Sequence, residues 1–250
     1  MIKRILKNIF EKAGYKITGT KYVLKQFLHP ENTLQLDFDH ALSKYLIHSK
    51  QLDNDFTFIQ VGAFDGAECD PLMKYLQRFD WNGIMLEPQP GPYYKLFDRY
   101  RDRNAIKVIK AAISNRNGTA TLYTLEGDGL PEWTKGMASF NKQNIIKHEY
   151  MFPNINDHIK EIEVDTITFQ QLFADHSISK IDLLQIDTEG FDAEILRMFP
   201  FDRIKPNIIH FESKHIPKHE LERVLDDLIS YGYKIGRDRE EDMIAVLEEK

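Results

Sequence analysis

Apolar positions recur at helical spacing through residues 1–13. Ile2, Ile5, Leu6, Ile9, Phe10 and Ala13 form a stripe, Lys3, Arg4, Lys7 and Lys12 lie off it, and Gly14 ends the run. A second stripe of Phe38, Ala41, Leu42, Tyr45 and Leu46 predicts a helix over 37–48, with Asp37 placed to cap it. Residues 1–50 therefore read as an N-terminal helical extension. From Phe56 the pattern changes: short apolar runs at 56–61, 83–87 and 106–110 alternate with helical stretches at about 71–78 and 90–101, where Pro71 and Pro92 signal helix starts. Such alternation predicts a parallel sheet with right-handed crossovers.

The second half continues the alternation, with a strand at 181–186, a helix at about 191–198, a strand at 207–211 and a helix marked by Leu221, Val224, Leu225, Leu228 and Ile229. Two strand-like runs come after it, 231–235 and 243–247. The polar stretch 236–242 between them is too short for a crossover helix, so they read as an antiparallel hairpin. Between Ser114 and Thr166 only Thr119 to Leu125 suggests a further strand; the rest reads as loop. The expectation is an α/β doubly wound, mostly parallel seven-stranded sheet over 51–250.

Composition changes this picture little and charge changes it more. At 250 residues, 42% hydrophobic and 29% charged, the chain suits one globular domain with a shorter annex. Cys69 is the single cysteine, which excludes an intramolecular disulfide or a multi-thiolate metal site and favours a reducing compartment. No apolar run approaches a membrane span and no signal-peptide pattern opens the chain, so a cytoplasmic protein is expected. Residues 1–25 carry a net +6 and the remainder −12. The acidic body argues against nucleic acid as a partner. The basic stripe of 1–13 has two readings, a helix packed on protein (including a second copy of the chain) or one lying on an anionic membrane face.

Candidate chemistry collects at predicted strand ends, where open α/β sheets bind ligands. Gly62, Ala63, Phe64, Asp65 and Gly66 follow the first strand with Gly-x-x-x-Gly spacing, unlike the Gly-x-Gly-x-x-Gly that wraps a pyrophosphate. A dinucleotide oxidoreductase is thereby disfavoured. Glu87 ends the second strand, where a carboxylate can accept hydrogen bonds from both hydroxyls of a ribose. The densest polar cluster, Gln185 to Asp192, ends the fourth strand, and His210 to His215 ends the fifth. Asp187, Glu189, Glu212 and His215 can converge there as a general base or as hard ligands. Asp192 and Glu194 read as helix-start acids. Trp133, Ser139 and His148 stand out only by residue type.

These residues resemble the FkbM-type methyltransferases, over roughly Phe56 to Leu247. The motifs are Gln60-Val61-Gly62-Ala63-Phe64-Asp65-Gly66, Glu87-Pro88, Ala111-Ala112-Ile113-Ser114, Val164-Asp165-Thr166, Asp182 to Asp192 with its Ile-Asp-Thr-Glu-Gly core, and His210-Phe211-Glu212. The resemblance implies a Rossmann-like sheet of order 3-2-1-4-5-7-6 that binds S-adenosylmethionine. Gln60 to Gly66 would hold the cofactor, Glu87 its ribose, Ala111 or Ala112 would border its adenine, and Asp187 would sit beside its methionine end and the acceptor. The usual acceptors of the family are hydroxyls of sugars, polysaccharide precursors and polyketides. Many relatives have Asp where this chain has Gln60, and Ala-Asn where it has Ala63-Phe64.

The expected reaction is O-methylation, with Asp187 or His215 as base and Glu189 shaping the rim. The alternative is a Mg²⁺ or Mn²⁺ ion held by Asp187 and Glu212. The competing function is a Rossmann-like protein of glycan biosynthesis that binds nucleotide-sugars without methyl transfer.

Overall fold

The computed structural model describes residues 35–49, 55–67, 70–127, 129–238 and 241–247. Two compact units divide the chain, residues 1–35 and 36–250. The basic helix expected over 1–13 lies outside the described residues. The second unit begins with α1 (Phe38–Ser49), β1 (Thr57–Val61), α2 (Met73–Leu76), β2 (Asn82–Leu86), α3 (Pro90–Tyr100), β3 (Ile106–Ile109), β4 (Ala112–Ile113) and β5 (Gly118–Leu125). After an inserted segment come β6 (Ile159–Ile167), α6 (Phe169–Asp175), β7 (Leu183–Ile186), α7 (Asp192–Met198), β8 (Ile208–Glu212), α8 (Lys218–Ser230), β9 (Tyr233–Asp238) and β10 (Asp242–Leu247). The insertion holds the short helices α4 (Lys142–Ile146) and α5 (Ile155–His158) and two 3-10 turns, Glu132–Gly136 and Lys147–Tyr150.

Seven strands form one sheet in the order β3-β2-β1-β7-β8-β10-β9. Counted among themselves they run 3-2-1-4-5-7-6, the order that the resemblance implies. β1, β2, β3, β7 and β8 are parallel, and β10 is antiparallel to both β8 and β9. Register aligns apolar residues across the sheet: Ile59 faces Ile84 and Leu184, and Leu184 faces Ile209, all buried. Phe58, Met85, Leu183, Ile208 and Ile244 form one cluster with Phe38, Leu42 and Leu46 of α1, Leu76 of α2 and Leu96 of α3. Asp37 caps α1 as expected, its Oδ1 accepting the His40 N–H at 2.7 Å.

Two expectations are corrected. The polar stretch 236–242 is largely strand, because Asp238 pairs with Asp242 and its side chain is buried, accepting from His210 (3.0 Å) and from the Phe38 N–H (3.1 Å). The irregular stretch contains a second sheet of order β4-β6-β5. β5 and β6 pair antiparallel along eight residues, from Gly118 opposite Thr166 to Leu125 opposite Ile159. The insertion closes over its own small core of Leu125, Met137, Ile145 and Ile155.

Candidate functional site

The carboxyl ends of β1, β2, β7 and β8 meet the second sheet and the insertion around a cavity of about 580 Å³. Gly62, Phe64, Glu87, Ala111, Ala112, Asp187, Glu189, Glu212 and His215 all line it. Because β1 separates β2 from β7, Glu87 and Asp187 stand on either side of the Gly62 turn.

Local geometry explains the turn. The N–H groups of Gly62 and Ala63 both donate to the Leu86 carbonyl, and Asp187 N–H donates to the Val61 carbonyl. Gly62 has φ +80°, and a Cβ there would fall 1.8 Å from the Asp187 carbonyl oxygen. Phe64 is also left-handed, at φ 46°, which brings its N–H to Oε2 of Glu87 at 3.0 Å. Oε1 of Glu87 accepts the Gln89 N–H at 2.8 Å. Glu87 is buried, and burial raises its pKa to about 7 against the lowering effect of those two N–H groups.

Four residues of the first motif do not reach the cavity. Gln60 is buried and donates to Asp70 at 3.1 Å, in a row that continues across the sheet through Gln185 and His210. Ala63 joins the apolar cluster beneath the sheet. Asp65 closes its own loop by accepting the Ala67 N–H at 3.0 Å, and its carbonyl accepts from Arg99. A Cβ on Gly66 would meet Leu96 at 2.6 Å, so this residue lets the loop pack on α3. These residues shape the turn from behind.

On the other side of β1 the acids cluster. Asp187 is exposed to the open volume, and its carboxyl is pushed well above the usual range, by desolvation first and then by Glu189 and Asp192. Asp192 is fully buried and acts as a staple: its Oδ2 accepts from the Thr188 hydroxyl (2.8 Å) and its Oδ1 from the Glu212 N–H (3.3 Å). Glu212 is shifted up by burial and by Glu189, Asp187 and Asp192. Nε2 of His215 lies 3.2 Å from Glu189 and 3.6 Å from Glu212, while its Nδ1 is 2.5 Å from Nζ of Lys147. At this rim the ligand atoms of Glu189, Glu212 and His215 lie within 4.8 Å of one another. Asp187, expected to share an ion with Glu212, is not in that set.

Sequence reasoning missed the insertion's share of this rim. Asn144 Nδ2 donates to the Glu189 carbonyl at 3.2 Å and lies where a Cβ on Gly190 would be, at 2.4 Å. Lys147 contacts His215, Phe140 packs edge-on against Phe191 at 5.0 Å, and His148 lies 5.5 Å from the His215 ring. The Gly190 position was the available signal, since a glycine at a helix start leaves room for a neighbour. Its partner 46 residues away had no signature.

A family described as the Methyltransferase FkbM domain matches residues 60–235. No curated protein matches the chain. Among solved structures, an FkbM methyltransferase from Methylobacillus flagellatus KT is 14% identical with a TM-score of 0.47, covering 87% of this chain and 50% of that one. The Methanococcus jannaschii fibrillarin pre-rRNA processing protein is 16% identical with a TM-score of 0.40, covering 80% and 69%. Aeropyrum pernix fibrillarin, solved with natively bound S-adenosyl-L-methionine, is 13% identical with a TM-score of 0.38, covering 82% and 72%.

Proposed function

Because the chain belongs to the FkbM family of S-adenosylmethionine-dependent methyltransferases, we propose that it methylates a hydroxyl of a sugar or glycan precursor, with Asp187 as the base. The observation that carries this reading is one cavity lined by both a buried carboxylate, Glu87, and an open one, Asp187. Its volume falls in the usual range for small-molecule sites. Each oxygen of Glu87 accepts one backbone N–H and keeps a further lone pair, which suits the two hydroxyls of a ribose.

When bound, S-adenosylmethionine would supply a sulfonium methyl group whose carbon an acceptor oxygen attacks in line, the O–C bond forming as the C–S bond breaks and S-adenosylhomocysteine leaves. The chain's residues have two tasks. One is to hold the acceptor oxygen against that carbon, an effect worth up to ~7–11 kcal/mol. The other is to take the hydroxyl proton as the oxygen–carbon bond forms. Asp187 suits the second task, since it faces the cavity and its raised pKa favours accepting a proton. His215 suits it poorly, because both its ring nitrogens face partners and its side chain is only 6% exposed. Tyr150, 79% exposed, lines the cavity mouth, where an aromatic face supports the apolar face of a sugar ring.

The test is calorimetric titration of wild type, Glu87→Ala and Asp187→Asn with S-adenosylmethionine and S-adenosylhomocysteine, followed by transfer of labelled methyl to a glycan panel. Binding should be present in wild type and in Asp187→Asn and be lost in Glu87→Ala. Transfer should fall roughly 10²- to 10⁴-fold in Asp187→Asn. Wild-type protein that binds neither compound removes the reading.

A further inference from the structure

We propose that the ring of Phe64 is a specificity-determining partition, which makes the cavity accept a ribose with free hydroxyls and turn away one enlarged at those oxygens. The proposal rests on the assignment of Glu87 to the cofactor ribose. A second cavity, of about 380 Å³, adjoins the first, lined by the start of α3, the end of β5 and the first 3-10 turn of the insertion. Among the described residues only Phe64 and Gln89 line both cavities. They are also the two whose N–H groups hold the carboxylate of Glu87, at 3.0 and 2.8 Å. The wall between the cavities therefore stands at the ribose subsite itself.

The ring completes that wall by reaching the insertion. A Cβ placed on Gly136 would lie 3.8 Å from Cε2 of Phe64 and 3.9 Å from its Cδ2. Gly136 lines the first cavity, whereas Thr134 and Lys135, earlier in the same turn, line the second. The backbone at Phe64 is an outlier, with φ 46°, a left-handed conformation that bulky residues rarely adopt. Strain of this kind persists where the surroundings impose it, and it collects at ligand sites. The hydrogen bond to Glu87 uses only the backbone of residue 64, and Gly or Asn would supply it with less strain. What phenylalanine adds is the ring.

A substituent on a ribose oxygen removes one hydroxyl donor from Glu87 and meets this wall. Pro90, Pro92, Leu125, Leu130 and Ile162 line the volume behind it, which is within the size range of small-molecule sites. Room for the substituent exists, and the ring closes it off. Selectivity here comes from a clash as well as from a contact.

The experiment is calorimetric titration of wild type, Phe64→Asn, Phe64→Gly and Phe64→Tyr with S-adenosylhomocysteine and with its 2′-O-benzyl and 3′-O-benzyl ethers. In wild type both ethers should bind roughly 100-fold or more weakly than the parent, from a lost hydrogen bond to a carboxylate and a clash with the ring. Phe64→Asn and Phe64→Gly, whose new residues suit φ 46°, should narrow that ratio roughly tenfold or more for at least one ether. Phe64→Tyr keeps a ring and should discriminate as wild type does. Each ratio is taken within one variant, so a general change in affinity cancels. Wild type that binds both ethers as tightly as the parent overturns the proposal, as does an unchanged ratio in both variants without a ring, or discrimination lost in Phe64→Tyr. All three results leave the methyl-transfer reading standing. Wild type that does not bind S-adenosylhomocysteine removes that reading and this proposal with it.

Discussion

At Glu87 burial and hydrogen bonding pull in opposite directions, and burial prevails. The pKa rises from 4.5 to about 7 although two backbone N–H groups favour the charged form. A group raised in the folded state contributes stability while protonated, and that contribution is lost as pH climbs through about 7. Hydroxyl donors from a bound ribose favour the ionised form, so cofactor binding should expel a proton. Calorimetry in buffers of different ionisation enthalpy should find about half a proton released near pH 7, falling toward zero above about pH 8. Glu87→Gln should release none. Gly62 yields a second prediction. Its hydrogen atom faces the Asp187 carbonyl, so Gly62→Ala must push β1's turn away from β7. With φ at +80° added to that clash, a loss of about 3 kcal/mol or more in denaturant unfolding is expected. The glycine was legible in sequence as part of the turn after the first strand; the backbone of the neighbouring strand, packed against it, was not.

Elements were legible wherever their apolar period was uninterrupted. β1, β2, β7 and β8 each bury four consecutive residues in the sheet, and edge strand β3 still carries Ile106, Val108 and Ile109, so their runs stand out. β6 was missed for the opposite reason: it alternates Ile162, Val164 and Thr166 with Glu161, Glu163 and Asp165, because one face is exposed, and that acidity read as loop. β4 has two residues and no period to detect. The carboxylates of the site were legible as strand-end residues, whereas Asn144, Lys147 and His148 sit on short helices and turns whose placement depends on the second sheet. Gly190 marks where these meet. A side chain there would displace Asn144 at 2.4 Å and press on His215 at 3.0 Å, and φ is +98°. Gly190→Ala should therefore loosen the insertion, seen as faster amide exchange over 138–151, with little change in the seven-stranded sheet.

For the whole molecule, the cavity is where the two sheets and the insertion meet. Glu87 and Asp187 come from the large sheet, Leu122 from β5, and Met137, Phe140 and His148 from the insertion. A ligand filling it touches all three and therefore stabilises their assembly. A compound present at 100 times its Kd adds about 2.7 kcal/mol to a protein that binds it only when folded. For a chain of this size each kcal/mol moves Tm by about 2–4 °C, so S-adenosylhomocysteine should raise it by roughly 5–10 °C. If the layers unfold as one, calorimetry will show a single transition that shifts intact. If the second sheet and insertion melt separately, two transitions will appear and only the upper will keep its position. Glu87→Ala distinguishes a specific effect, since that variant should show no shift at the same concentration.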